Sequence, residues 1–219
     1  IRRLLRLNHL LTRDAVLYLQ VSRGEAKRDH PFPVNVRPSL FISVSPAKFL
    51  NKSYYEKGAS AITTEDIRWL RRDIKSTSLL PNVLAKQQAV EANVAEAILI
   101  EQDGTVTEGS SSNLFLVNDA GELLTHPADR HILNGITRMG VIAVAKEQGV
   151  KVREERYNED ALRNAKELFI TSTTKHILPI TFVDGKPVYQ GEVGEVTSRL
   201  VGAYKNFIDA QKELSCKVG

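Results

Sequence analysis

Apolar residues along the chain follow two periods. "AVLYLQVSRG" is rich in β-branched and aromatic residues and closes at Gly24, which predicts a strand. "RDHPFPVNVRP" holds three prolines and predicts an extended loop. "PSLFISVSP", bounded by prolines, and "KGASAITTED" predict the next two strands. The period then lengthens. "SLLPNVLAKQQAVEAN" places Leu80, Val83, Leu84, Ala89 and Val90 at helical spacing, predicting a helix packed on one face with Pro81 in its first turn. "AEAILIEQDGTVTEG" returns to strand, turn and strand, with Asp103-Gly104 at the turn. "SSNLFLVNDAGELLTHP" predicts a second hairpin around Asn118 to Gly121.

"NGITRMGVIAVAKEQGV" predicts a helix whose apolar face holds Val141, Ile142, Val144 and Ala145 and which ends at Gly149. "KVREERY" predicts a strand, and "NEDALRNA" a short helix with Asn158 as its N-cap. "ELFITSTT" reads as a buried strand ending in hydroxyls, and "ILPITFVDGKPV" as a hairpin turning at Asp184-Gly185. A last helix is expected over about Glu192 to Lys212. The start, "IRRLLRLNHLLTRD", reads as a helix end without its own cap. Strands and helices mix and hairpins abound, which predicts an α+β or mixed α/β fold and argues against a doubly wound sheet.

Composition narrows the function. The chain has 219 residues and a 42% hydrophobic fraction, enough for a real core. A net charge of +4 hints at anionic ligands, yet the basic residues form no long tract interleaved with aromatics, which argues against nucleic acid. One cysteine, Cys216, excludes a disulfide within the chain and suits a reducing cytoplasm. No cysteine/histidine cluster has zinc spacing, so no metal is expected. No apolar run approaches the about 20 residues of a membrane span, and the start has no signal-peptide pattern.

Four stretches carry chemistry. In "TVTEGSSSNLF", Glu108 lies in a polar turn between two strands; a carboxylate there needs partners and suits a protonated nitrogen. In "NGITR", Gly135 to Thr137 open a helix whose free amides, hydroxyl and dipole suit an anion. In "ITSTT", Ser172, Thr173 and Thr174 offer hydroxyls and amides to the same anion. In "DIKSTSLLPNVLAKQ", Lys75 sits in a hydroxylated loop. Each stretch alone fits an ordinary loop, cap or surface lysine. Together they meet the needs of pyridoxal 5'-phosphate: amides and hydroxyls for the phosphate, a carboxylate for the ring nitrogen, an amine for the aldehyde.

"DIKSTSLLPNVLAKQ", "TVTEGSSSN", "LNGITR" and "ELFITSTT" match, in order and spacing, the fold-type IV pyridoxal-phosphate enzymes, and the chain resembles that family over nearly its whole length. Within the family the likeness is greatest to the D-amino-acid aminotransferases. The resemblance implies a large cofactor-binding domain over 48–219, preceded at 1–47 by the remainder of a small N-terminal domain. It implies that Lys75 takes the cofactor aldehyde and serves as general base and acid. It makes Glu108 the partner of the ring nitrogen, Ile136, Thr137, Ser172 and Thr173 phosphate ligands, and Leu133 the apolar residue against the ring. Lys86 keeps the reading of a surface residue. His126, His131 and His176 receive no role.

"LYLQVSRGEAKRDHPFP" is similar to the segment in which an arginine and a histidine trap the substrate α-carboxylate; here they are Arg28 and His30. The resemblance further implies a homodimer in which this loop reaches the neighbour's cofactor. It also implies residues ahead of Ile1 that supply an arginine to the phosphate and a tyrosine near the substrate. Either the chain is a piece of a longer protein or part of the site has been lost. The expected function is transamination between D-amino acids, D-alanine and D-glutamate among them, and 2-oxo acids. The alternatives are a branched-chain L-amino-acid aminotransferase or aminodeoxychorismate lyase, and, from another class, an inactive fragment that binds only a cofactor or partner.

Overall fold

A computed structural model describes residues 1–217, with side chains described up to 212. The side chain of Cys216 lies outside the described residues. The chain divides into two compact units, Ile1–Phe49 and Leu50–Gly219.

The first unit holds helix α1 (Arg2–Leu7) and two strands, β1 (Ala15–Ser22) and β2 (Ser39–Pro46). The strands pair antiparallel from Ala15 opposite Pro46 to Ser22 opposite Ser39. The proline-rich stretch between them is irregular, as its fixed φ angles and missing N–H groups require. At Gly24, φ is +104° and a Cβ would lie 2.1 Å from the Arg37 carbonyl oxygen, so only glycine fits there.

The second unit is built on a mixed sheet that has ten strands among the described residues. They are β3 (Ala59–Glu65), β4 (Glu96–Ile100), β5 (Thr105–Gly109), β6 (Asn113–Val117), β7 (Leu123–Thr125), β8 (Val152–Glu154), β9 (Tyr157–Asn158), β10 (Glu167–Ser172), β11 (His176–Val183) and β12 (Lys186–Pro187). The order is β8-β7-β6-β10-β11-β3-β4-β5-β9, with β12 beside β11. Only β11–β3, β3–β4 and β7–β8 pair parallel; the hairpins pair antiparallel. The fold is mixed α/β, as the sequence predicts. "KVREERY" departs in detail, because it splits into β8 and β9, which join different edges of the sheet.

Five helices accompany the strands among the described residues of this unit: α2 (Lys52–Lys57), α3 (Leu80–Glu91), α4 (Ile136–Glu147), α5 (Glu159–Arg163) and α6 (Glu195–Lys217). α4 buries Val141, Ile142, Val144 and Ala145, and with Leu200 and Tyr204 of α6 it covers Phe115 and Phe169, whose rings stack 4.9 Å apart. A second cluster joins Ile98, Leu114, Leu116, Ile170 and Leu178 from the central strands. Burying a side chain of this size contributes about 1.5–3 kcal/mol, so these two clusters hold the sheet that carries the site.

α3 is where the pattern misleads. Its buried residues are Ala85 and Ala89, which meet Ala97 and Leu99 of β4. Leu80, Val83, Leu84 and Val90 are exposed. Spacing shows that such residues share a face; it does not say which face meets the core. Small alanines let the helix lie close on the sheet and leave the larger side chains outward.

Candidate active site

The site starts at Glu108, next to last in β5. Its side chain is 5% exposed and receives three donors. Arg68 Nη1 lies 2.5 Å from Oε1, Asn113 Nδ2 lies 2.8 Å from Oε2, and the Leu133 amide bridges both oxygens at 3.2 Å. These donors make four contacts on a carboxylate with about four lone-pair directions, and the long, shared Leu133 contact is the weakest of them, the one a further donor would displace. Burial pushes the carboxyl up from its usual 4.5 to about 7. Attraction and hydrogen bonding from Arg68 and the Leu133 amide pull it down, and Asp66 pushes it up again.

Asn113, first in β6, is the hub. Besides Glu108, its Nδ2 donates to the Leu133 carbonyl at 2.7 Å. Its Oδ1 lies 2.3 Å from where a Cβ on Gly135 would stand, so Gly135 must lack one. Asn113 also pairs across the sheet with Thr171, one residue before Ser172. One side chain thus ties the Glu108 strand, the Leu133 segment and the start of α4 together, beside the strand that ends at Ser172.

α4 opens at Gly135, which is extended at φ −65° and ψ 141° and gives no side-chain cap. The first-turn amides of a helix have no partner within it, and here no capping side chain takes their place. Ile136 is 77% exposed, while Thr137 is buried and its hydroxyl meets the Tyr204 phenol. Ser172 is half-buried and accepts the Lys175 amide at 3.3 Å; Thr173 is exposed. Leu133 is half-buried.

Lys75 lies on an irregular loop between β3 and α3 and is exposed, with no polar partner among the described residues. The loop is fastened at both ends. The Arg72 amide donates to the Arg130 carbonyl at 3.0 Å, and Asn82 Nδ2 donates to the Ser110 carbonyl at 2.8 Å. In the other unit, Arg28 and His30 are exposed, and the His30 amide donates to Asp29 Oδ1 at 2.8 Å.

Sequence reasoning missed Arg68. It lies seven residues before Lys75 among other arginines, and nothing in its spacing marks it. Lys86, read as a surface residue, is half-buried: Nζ donates to the Ala95 carbonyl at 2.6 Å and lies 3.6 Å from Glu96. Glu96 is fully buried and accepts from Ser110, from Ser112 at 2.9 Å and from the Ala97 amide at 3.0 Å. It underpins the serine turn after Glu108. His131, left without a role, has Nδ1 2.9 Å from Glu101 Oε1.

The donor set fits pyridoxal phosphate. An uncapped helix start suits the phosphate, a buried carboxylate whose Leu133 contact is long and shared suits the ring N–H, and an unpartnered amine suits the aldehyde. Among the described residues no His/Cys/Asp/Glu group could hold a metal ion, and no helix is long and apolar enough to cross a membrane.

Known proteins carry the same pattern. A family model described as Amino-transferase class IV matches residues 1–183. A D-alanine aminotransferase of Staphylococcus aureus (strain MSSA476) is 42% identical over 212 residues, covering 95% of this chain and 73% of that enzyme. That of Bacillus licheniformis is 45% identical over 196 residues, covering 90% of this chain and 68% of its own length. Among solved structures, the Escherichia coli branched-chain amino acid aminotransferase superposes with a TM-score of 0.79 at 29% identity, covering 94% of this chain and 67% of its own. A T.th. branched-chain amino acid aminotransferase with pyridoxamine 5'-phosphate gives 0.79 at 31% identity, covering 91% and 66%.

Proposed function

The chain belongs to the class IV aminotransferases, pyridoxal-phosphate enzymes of fold type IV, and from that premise we propose that it moves amino groups between D-amino acids and 2-oxo acids. The observation that carries the D-side of this reading is the greater identity to relatives named D-alanine aminotransferase than to the branched-chain structures. D-alanine and D-glutamate are the proposed donors.

Pyridoxal phosphate supplies an electron-withdrawing ring that stabilises negative charge at the substrate α-carbon. The chain's residues do the rest. Lys75 Nζ would hold the aldehyde end, and as a free amine it would take up the proton lost from the substrate α-carbon and give it back. Its exposure and lack of a polar partner support this, since a lysine tied into an ion pair is a poorer base and nucleophile. Glu108 would accept the ring N–H in place of its long, shared contact from the Leu133 amide. The amides of Ile136 and Thr137 hold the phosphate with Ser172 and Thr173, and Leu133 packs against the ring. Arg28 holds the substrate α-carboxylate with His30 beside it.

The unit Ile1–Phe49 is proposed as part of a small N-terminal domain. A homodimer is proposed; Trp69, Leu70, Leu79, Leu80, Val83 and Leu84 are exposed large apolar side chains close together in the sequence, of the kind an interface covers. A cytoplasmic setting is proposed, which a chain with one cysteine suits.

The test is amino-donor preference of the full-length protein with D-alanine, L-alanine, D-glutamate and L-leucine. D-alanine and D-glutamate should react fastest; preference for L-leucine would replace this reading with the branched-chain one. Arg28→Ala should raise KM for D-amino acids by roughly tenfold and affect cofactor binding far less. Mixed dimers of Arg28→Ala and Lys75→Ala should regain activity; inactive mixed dimers would place Arg28 within its own subunit or outside the site.

A further inference from the structure

Glu108 has to stay a carboxylate in a place where burial favours its acid. Arg68 meets that need, and the geometry shows how it is itself held. Its guanidinium forks onto Asp66, with Nε 2.9 Å from Oδ1 and Nη2 2.7 Å from Oδ2. A two-pronged contact of this kind fixes the guanidinium plane. Nη1 is then left pointing at Glu108 Oε1, 2.5 Å away. Both side chains are nearly sealed, Arg68 at 6% exposed and Asp66 at 0%.

Asp66 is secured in turn. Thr107 Oγ1 donates to Oδ2 at 2.8 Å, the Arg68 amide donates to Oδ1 at 3.1 Å, and the Asp66 amide donates to the Ile100 carbonyl at 2.8 Å. Arg72, 3% exposed, lies 3.5 Å from Asp66 Oδ1 and 2.5 Å from Glu101 Oε1, and Glu101 reaches His131 at 2.9 Å. From Glu108 outward carboxylate and guanidinium alternate as far as Glu101, so removing an inner one leaves a buried group without its partner of opposite charge.

We propose that Arg68, clamped by Asp66, is a positioning residue for the cofactor: it draws Glu108 toward its carboxylate form and holds that carboxylate in place for the ring N–H. Arg68 acts through Glu108 and needs no contact with the cofactor. The proposal rests on Glu108 as the ring partner, which the same experiment tests separately.

The experiment measures cofactor dissociation constants by equilibrium dialysis on the full-length protein. Two cofactors are used: pyridoxal phosphate, and the analogue with carbon in place of the ring nitrogen. Arg68→Gln should weaken pyridoxal phosphate binding by roughly tenfold or more, and analogue binding by less than about twofold. Arg68→Lys, which keeps the charge but loses the fork, should fall between. Equal losses for both cofactors would make Arg68 a structural residue only and overturn the proposal. Should Arg68→Gln not fold, Asp66→Asn carries the test, with the same selectivity expected and the same equal loss overturning it. Glu108→Gln separates the two claims. If it too fails to discriminate between the cofactors, the ring-partner reading of Glu108 is wrong. If it discriminates and Arg68→Gln does not, only the role of Arg68 is wrong.

Discussion

Glu108 and Lys75 occupy opposite kinds of structure. Glu108 stands on a strand inside a ten-stranded sheet, with three donors and a chain of buried charges behind it. Lys75 stands on an exposed loop and touches no polar group among the described residues. In the proposed roles, the carboxylate would keep one proton near one atom, which rigidity serves, and the amine would bind, let go and carry a proton, which a free end on a fastened loop serves. The contrast predicts that chemistry and stability respond in opposite order at the two positions.

Lys75→Ala should have the largest effect on chemistry. Losing the amine that binds and transfers the proton should slow the half-reaction by about 10⁴-fold or more, and borohydride labelling of the protein should disappear. Folding stability should change by less than about 0.5 kcal/mol, as for other exposed positions. Labelling that moved to a peptide containing Lys86 would break the comparison at its root. Glu108→Gln comes next. The labelled peptide should still contain Lys75, while the single-turnover rate falls by about 10²–10³-fold, because a neutral amide holds the ring proton poorly. An unchanged rate would remove Glu108 from the mechanism.

The third test reads the burial of Glu108 without any chemistry. In the cofactor-free protein its carboxyl is raised from 4.5 to about 7. Between those values the folded chain keeps a proton that the unfolded chain releases. Folded stability is therefore greatest below the lower value and declines as pH rises toward the higher one, by roughly 3 kcal/mol in all. Glu108→Gln should lack this decline. His126, lowered by burial, gives a trend of opposite sign below its ordinary 6.5, so the quantity to follow is the difference between wild type and variant. A flat difference across pH 4.5 to 7 would mean that Arg68 and the Leu133 amide offset burial fully.

Much of this arrangement was legible in the sequence. Glu108 stood out because a lone carboxylate between two apolar strands has to be paired with a donor or a cation. Gly135 to Thr137 stood out because glycine before a β-branched and a hydroxyl residue marks a helix start. The strands and their turns followed from alternation, with Asp103-Gly104 and Asp184-Gly185 both at hairpin ends. Arg68 was illegible because its partners lie 2 and 40 residues away and its own neighbourhood is crowded with arginines. Asn113 was visible as part of a polar turn, but its role depends on Leu133, 20 residues later. The outward face of α3 was misread because spacing reports a shared face and not its direction. Long-range pairing and orientation are set by tertiary structure, which one-dimensional pattern does not carry.

The smallest expected effect belongs to the tie between the two regions. Asn82 donates to the Ser110 carbonyl at 2.8 Å, joining the first turn of α3 to the residue two past Glu108. It touches neither Lys75 nor Glu108. Asn82→Ala removes one hydrogen bond to a carbonyl and should cost about 1 kcal/mol of stability. If the rigid side serves the open side by fixing the ends of its loop, the variant should bind cofactor normally and label at Lys75. Its half-reaction should nevertheless slow by about three- to tenfold, since the amine is less often placed for transfer. A variant that lost the stability and kept the full rate would show that the loop needs only its other fastening, the Arg72 amide on Arg130.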